Sequence, residues 1–157
     1  MRVFHEFDAY YQQDSKILIL GSFPSVKSRE VSFYYGHPQN RFWKVLANLF
    51  NENVPITMED KKEFLNRYHI ALYDVIDSCD IKGSSDASIQ NVQLTDLNRI
   101  LVNSKIDRIV LNGKTASKYF VVPSTFGGRI LHMPSTSAAN ARCSLDTLMN
   151  EWKIITE

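Results

Sequence analysis

Two kinds of hydrophobic spacing alternate along the chain. Ile17-Leu18-Ile19-Leu20 is continuously apolar, the pattern of a strand buried on both faces of a parallel sheet. From about Gln39 the spacing becomes helical. Phe42, Leu46, Leu49 and Phe50 mark one buried face, and Pro38 just before them suits a helix start. Thr57 to Tyr68 predicts a second helix, with Thr57 as N-cap, Asp60 three residues on, and Phe64 and Leu65 apolar. Ile70 to Ile76 predicts a second strand. Leu94, Leu97, Ile100 and Leu101 predict a helix over Leu94 to Val102, capped by Thr95 or Asn91. Arg108 to Leu111 predicts a third strand ended by Asn112-Gly113, and Lys114 to Phe120 a helix. A fourth strand is predicted at Arg129 to His132 and a last helix at about Ser144 to Ile155.

The segments between are equally patterned. Residues 1–15 carry Phe4, Phe7, Tyr10 and Tyr11 and predict an aromatic cover over the sheet. Gly21-Ser22-Phe23-Pro24-Ser25 is a tight loop, and a polar, aromatic-tipped loop follows it to Asn40. Ser78 to Gln90 is polar and rich in Gly and Ser; a loop this long in a compact domain is more often functional or mobile than neutral. Residues 121–128 form a turn-rich connection, and Pro134 to Asn140 leads into the last helix. Strands alternating with helices predict one α/β domain with a mostly parallel sheet. Its strand ends bring Phe23, Asp74, Asn112 and Ser135 to one rim, where open α/β sheets bind their ligands.

Composition narrows the function less than the pattern does. The chain has 157 residues, enough for one domain with a real core. A net charge of +1 steers weakly, so any nucleic-acid contact needs a local basic surface. Lys114, Lys118, Arg129 and Arg142 are candidates for one, against the plain reading of scattered solvated cations. Cys79 and Cys143 show no ligand spacing and read as two reduced thiols. His5, His37, His69 and His132 show no metal-ligand spacing either, so no metal or cofactor is expected. The absence of a signal-like or membrane-spanning run predicts a soluble cytoplasmic protein.

The rim lacks a phosphate-binding Gly-Lys-Ser/Thr loop, a dinucleotide fingerprint and a nucleophile elbow. It offers aromatic rings, amides, a carboxylate and hydroxyls. Such a site suits a planar heterocycle that is stacked on a face and read at its edge, as an extruded base is held.

The ordered set of motifs resembles the uracil-DNA glycosylase superfamily, its hypoxanthine-DNA glycosylase branch above all. It also echoes the mismatch-specific uracil/thymine glycosylases. The matching pieces are Gly21-Ser22-Phe23-Pro24-Ser25 (motif one), Tyr35 to Lys44, Leu72-Tyr73-Asp74-Val75, Leu111-Asn112-Gly113-Lys114 and Met133-Pro134-Ser135-Thr136-Ser137-Ala138 (motif two). The resemblance implies a three-layer α/β sandwich and a monofunctional glycosylase. Such an enzyme flips a deaminated base out of damaged DNA and cleaves its N-glycosidic bond with water, as a monomer without metal or cofactor. Hypoxanthine is the first expectation, uracil the second.

The same resemblance distributes roles. Phe23 stands where the mismatch enzymes carry a water-positioning asparagine, and the hypoxanthine branch places that role on Asn40; the plain alternative for Asn40 is a helix cap. Tyr35 or Phe23 stacks the base, where packing is the plain alternative. Asp74 reads the base edge by accepting from a ring N–H, unless it only caps a turn. Ser22 and Asn112 join the base pocket. Pro134, Ser135, Thr136, Ser137 and Ala138 form a wedge and phosphate-gripping loop, with Lys114 beside it. Two alternatives stay open: a mismatch uracil glycosylase, or a non-catalytic nucleobase-binding domain of the same fold, which Phe23 in place of asparagine favours.

Overall fold

A computed structural model describes residues 2–157; Met1 of the expected N-terminal cover lies outside them. In chain order the elements are β1 (Arg2–Phe4), β2 (Ile17–Gly21), α1 (Val26–Val31), α2 (Phe42–Leu49), α3 (Met58–Arg67), β3 (Ile70–Asp74) and β4 (Ile76–Asp80). After them come β5 (Gln90–Leu94), α4 (Asn98–Val102), β6 (Arg108–Asn112), α5 (Lys114–Tyr119), β7 (Arg129–Met133) and α6 (Leu145–Trp152). Strands β3, β2, β6 and β7 form, in that order, one parallel sheet.

The apolar runs explain why this sheet is central. Leu18, Ile19 and Leu20 are completely buried, and so are Ile109, Val110 and Leu111 of the neighbouring β6. Strands covered on both faces need helices above and below. Between β2 and β3 the chain moves one way across the sheet; from β3 it passes over β2 to β6 and on to β7. Right-handed crossovers therefore put α1–α3 on one face and α4 and α5 on the other. Helix α6 packs against α2, with Trp152 and Phe42 meeting edge to face at 6.2 Å. This is the flanked α/β architecture that the alternating pattern predicts. The crossover after β2 steps one way across the sheet and the crossover after β6 the other, so the crevice for a ligand lies above the carboxyl ends of these two strands.

A second, antiparallel sheet was not expected. Strands β1, β4 and β5 pair in that order. Ser78–Asp80, expected in a loop, are strand; Leu94, expected in a helix, ends β5, and helix α4 begins only at Asn98. Strand β4 follows β3 after the single residue Val75, so the chain passes directly from the large sheet into the small one. A small core of Phe23, Ile76, Cys79 and Ile89 fills the space beneath. Helix α1 also lies inside a segment expected to be loop. Its six residues have little apolar periodicity, and it starts because Ser25 caps it, accepting from the Ser28 N–H at 3.1 Å.

Candidate active site

The rim is built where β2, β3 and β6 end. Gly21 and Asp74 are register partners. The Val75 N–H donates to Gly21 O at 2.8 Å and the Ile76 N–H to Ser22 O at 3.0 Å, so motif one is fixed to the start of the second sheet. On the other side Gly113, at φ 101°, turns the chain sharply after β6. A Cβ there would lie 3.0 Å from the Ser135 Cβ, so motif two can lie against the turn only because the residue is glycine.

Asn40, Thr136 and Asn112 come together across this gap from three separate segments. The Thr136 N–H donates to Asn112 Oδ1 at 3.1 Å, and Asn112 Nδ2 donates to Thr136 Oγ1 at 3.1 Å. Thr136 Oγ1 in turn donates to Asn40 Oδ1 at 2.9 Å. The same Asn40 oxygen accepts the Phe42 N–H at 3.0 Å. Backbone donors at both ends thus orient both amides. Asn40 lies one residue before the N-cap Arg41 of α2, so it holds the entry to that helix and stands at the rim at once. Both lone pairs of its oxygen are used, and Nδ2, with no partner among the described residues, is the group left for a ligand.

Asp74 is buried at the end of β3. His5 Nε2 donates to its Oδ2 at 2.7 Å. Its Oδ1 lies over Gly21, where a Cβ would stand 2.6 Å from it and 3.2 Å from the Tyr35 hydroxyl. Burial, and next the Asp74 charge, push the Tyr35 hydroxyl far above the ordinary tyrosine range, while Asn112 pulls it slightly back. Tyr35 therefore keeps its proton, and its buried oxygen has no hydrogen-bond partner. Its ring stacks on Phe42 at 3.8 Å between centroids. Its φ of 54° is unusual for a bulky residue, and such strain concentrates at functional sites.

Phe23 faces differently. It belongs to the small core, with the Arg29 guanidinium carbon 5.7 Å from its ring centre and His5 6.1 Å from it at its edge. Ser22 Oγ donates to both carboxyl oxygens of Asp86, at 3.1 and 3.2 Å. Desolvation raises the pKa of that carboxyl above its ordinary value, Ser22 and Thr115 pull it down, and Asp74 adds to the rise. Asp86 comes from the long polar loop, which is held in place by Val26 N–H to Ser84 Oγ at 2.9 Å and Arg29 to Gly83 O at 2.8 Å.

The motif-two loop is held from behind. Arg41 sends its guanidinium into the carbonyls of Ser137 (2.9 Å), Asn140 (3.2 Å), Thr136 (3.4 Å) and Cys143. Trp152 Nε1 donates to Pro134 O at 3.0 Å. Ser135 Oγ and Ser137 Oγ accept the N–H groups of Ser137 and Ala139, which leaves both hydroxyl protons for an outside acceptor. Ala138 is exposed, as is Lys114 at the start of α5. Thr136 is the exception in this loop. It is completely buried, so within the loop expected to grip phosphates its side chain faces inward and bridges two amides. His5, Arg41 and Asp86 were given no role from sequence. Arg41 sits inside the Asn40-Arg41-Phe42-Trp43 string, whereas no spacing pointed to His5. Among the described residues no group of three His, Cys, Asp or Glu could hold a metal ion, and no helix is long and apolar enough to cross a membrane.

The chain is similar to known proteins in sequence and in fold. Residues 9–156 match the model of the uracil DNA glycosylase superfamily. A hypoxanthine DNA glycosylase of Methanosarcina acetivorans is 32% identical over 151 residues, covering 95% of each chain. One of Methanosarcina barkeri is 31% identical over 150 residues, covering 93% of each. A solution NMR structure from Methanosarcina acetivorans, provisionally assigned as a uracil DNA glycosylase, superimposes with a TM-score of 0.83 at 32% identity. It covers 95% of this chain and 93% of its own.

Proposed function

The chain belongs to the uracil DNA glycosylase superfamily, and from that premise we propose that it is a DNA glycosylase of base excision repair that releases hypoxanthine from deoxyinosine. Two relatives carry that activity in their names. The observation that carries the reading is the rim itself, where a carboxylate, an aromatic ring and an unpartnered amide N–H2 converge above the ends of three strands.

In this reading the flipped base lies against Tyr35, which Phe42 braces from behind; Phe23, packed in the small core, is the second choice. Asp74 Oδ1 accepts the N1–H of hypoxanthine. Adenine has no proton on N1, so the same carboxylate disfavours it. Asn40 holds a water at Nδ2. Water oxygen bonds to C1′ as the C1′–N9 bond breaks, the electron pair leaves on the base, and the water's proton passes to the base or to solvent. The transition state is oxocarbenium-like, so orientation of the water counts for more than basicity. Asn112 and Ser22 shape the pocket through Thr136 and Asp86. Pro134 and Ala138 fill the gap left in the duplex, while Ser135, Ser137 and Lys114 meet phosphates. No lysine stands among the groups assigned to the base and the water, which favours hydrolysis over Schiff-base chemistry. We place the enzyme in the cytoplasm, acting as a monomer without metal or cofactor.

The test is base release from duplexes carrying one deoxyinosine, one deoxyuridine or neither. Free hypoxanthine and an intact abasic strand are expected. Release of uracil alone would move the specificity to the mismatch type. Binding of the inosine duplex without release would make the domain a binding module.

A further inference from the structure

His5 is a buried titratable side chain near the rim that the proposed chemistry leaves without a task. Its side chain is fully buried, and the Asp74 side chain is 5% exposed. Rings surround it: Phe7 at 4.6 Å, Tyr73 at 5.0 Å, and Phe23 and Tyr34 at 6.1 Å. Nε2 donates to Asp74 Oδ2, and Nδ1 has no partner among the described residues. A purely structural histidine in an apolar nest gains nothing from an orphaned nitrogen. The ring is kept there for the bond that it does make.

That bond settles which way the carboxylate faces. With Oδ2 held by His5, Oδ1 is directed over Gly21 beside the Tyr35 hydroxyl. The absent side chain at Gly21 is what leaves the space. We propose that His5 is a specificity-determining positioning residue. It holds the Asp74 carboxylate by one oxygen so that the other meets the ring N–H of the flipped base. This rests on the reading of Asp74 as the edge reader. His5 acts through Asp74 alone and does not touch the base. It arrives on the N-terminal segment, whose strand β1 pairs with β4, so the second sheet is what delivers it.

A group that aims an acceptor affects only substrates with a donor to offer. The experiment compares single-turnover release from duplexes carrying deoxyinosine with release from duplexes carrying 2′-deoxynebularine, whose purine ring has no N–H on its six-membered ring. The readout is the ratio of the two rates, which a general loss of stability would not move. In His5→Phe, which keeps a ring and loses the donor, the ratio falls about tenfold or more; in Asp74→Ala it falls as far. His5→Gln, which restores an amide donor, stays within about threefold of wild type. An unchanged ratio in His5→Phe beside a collapsed one in Asp74→Ala overturns the role of His5 and leaves Asp74 as the reader. Unchanged ratios in both overturn the Asp74 reading itself. Should His5→Phe fail to fold because it strands a buried carboxylate, Asp74→Ala is compared with Asp74→Ala/His5→Phe, where no group remains at 74 for His5 to orient. Equal ratios are expected, and a further tenfold fall on adding His5→Phe overturns the proposal.

Discussion

Thr136 Oγ1 donates to Asn40 Oδ1 at 2.9 Å across 96 residues of sequence, and this one bond joins the loop assigned to DNA to the residue assigned to the water. Because Thr136 also exchanges two hydrogen bonds with Asn112, the three side chains form a directional chain with every oxygen orientation decided. Thr136→Val keeps the shape and removes the hydroxyl. It leaves Asn112 Nδ2 without its acceptor and Asn40 Oδ1 with the Phe42 N–H alone. Stability should fall by about 1–3 kcal/mol and excision by about tenfold or more, while Thr136→Ser stays near wild type. Thermal melting and single-turnover excision of hypoxanthine check both.

Arg41 contributes in a different currency, namely order in the loop. Its planar fork reaches four carbonyls of residues 136–143, which a lysine ammonium cannot span. Arg41→Lys should weaken duplex binding several-fold and speed amide exchange in residues 134–143, with the core unaffected. Fluorescence anisotropy on an inosine duplex and hydrogen exchange measure the two. Unchanged exchange in that loop would remove the role given to Arg41.

The tyrosines set an alkaline limit. Tyr34 and Tyr35 both have hydroxyls held far above the ordinary value of 10.0, chiefly by burial and next by the Asp74 charge. A raised folded-state value means that the unfolded chain loses its proton first. The stabilisation is therefore complete below about pH 10 and is lost as pH rises above it. Chemical denaturation from pH 8 to 11 should show stability falling beyond pH 10, and Tyr35→Phe should blunt that fall. Because the hydroxyl is already unpartnered, Tyr35→Phe should cost little stability at pH 7.

The large sheet was legible because β2 and β6 are buried on both faces and their sequences are accordingly apolar. The rim was legible in part, since short loops after such strands converge wherever the sheet is parallel. The small sheet was not. Strand β5, Gln90-Asn91-Val92-Gln93-Leu94, is mostly exposed, and β4 meets it through register shifts, so neither carries a clean alternation. Missing that sheet meant missing what it brings to the rim. His5 and Asp74 are 69 residues apart, and no spacing encodes their meeting. The inward turn of Thr136 was hidden for a related reason. In a Ser-Thr-Ser run nothing in the sequence says which hydroxyl turns inward, and the structure turns in the middle one.

The central claim is that this rim excises hypoxanthine and that Asn40 serves it through Nδ2. The most direct test is single-turnover release of hypoxanthine from a duplex with one deoxyinosine, by wild type, Asn40→Ala and Asn40→Asp. An Asp carboxylate oxygen accepts the same Phe42 N–H and Thr136 O–H, so Asn40→Asp keeps the fold and those two bonds while removing the N–H2. Wild type should release the base, and both variants should be slower by about a hundredfold or more, a loss of the size that positioned catalytic groups contribute, while still binding the duplex. Wild-type release by Asn40→Asp would contradict the role of Nδ2, and no release by wild type would contradict the account as a whole.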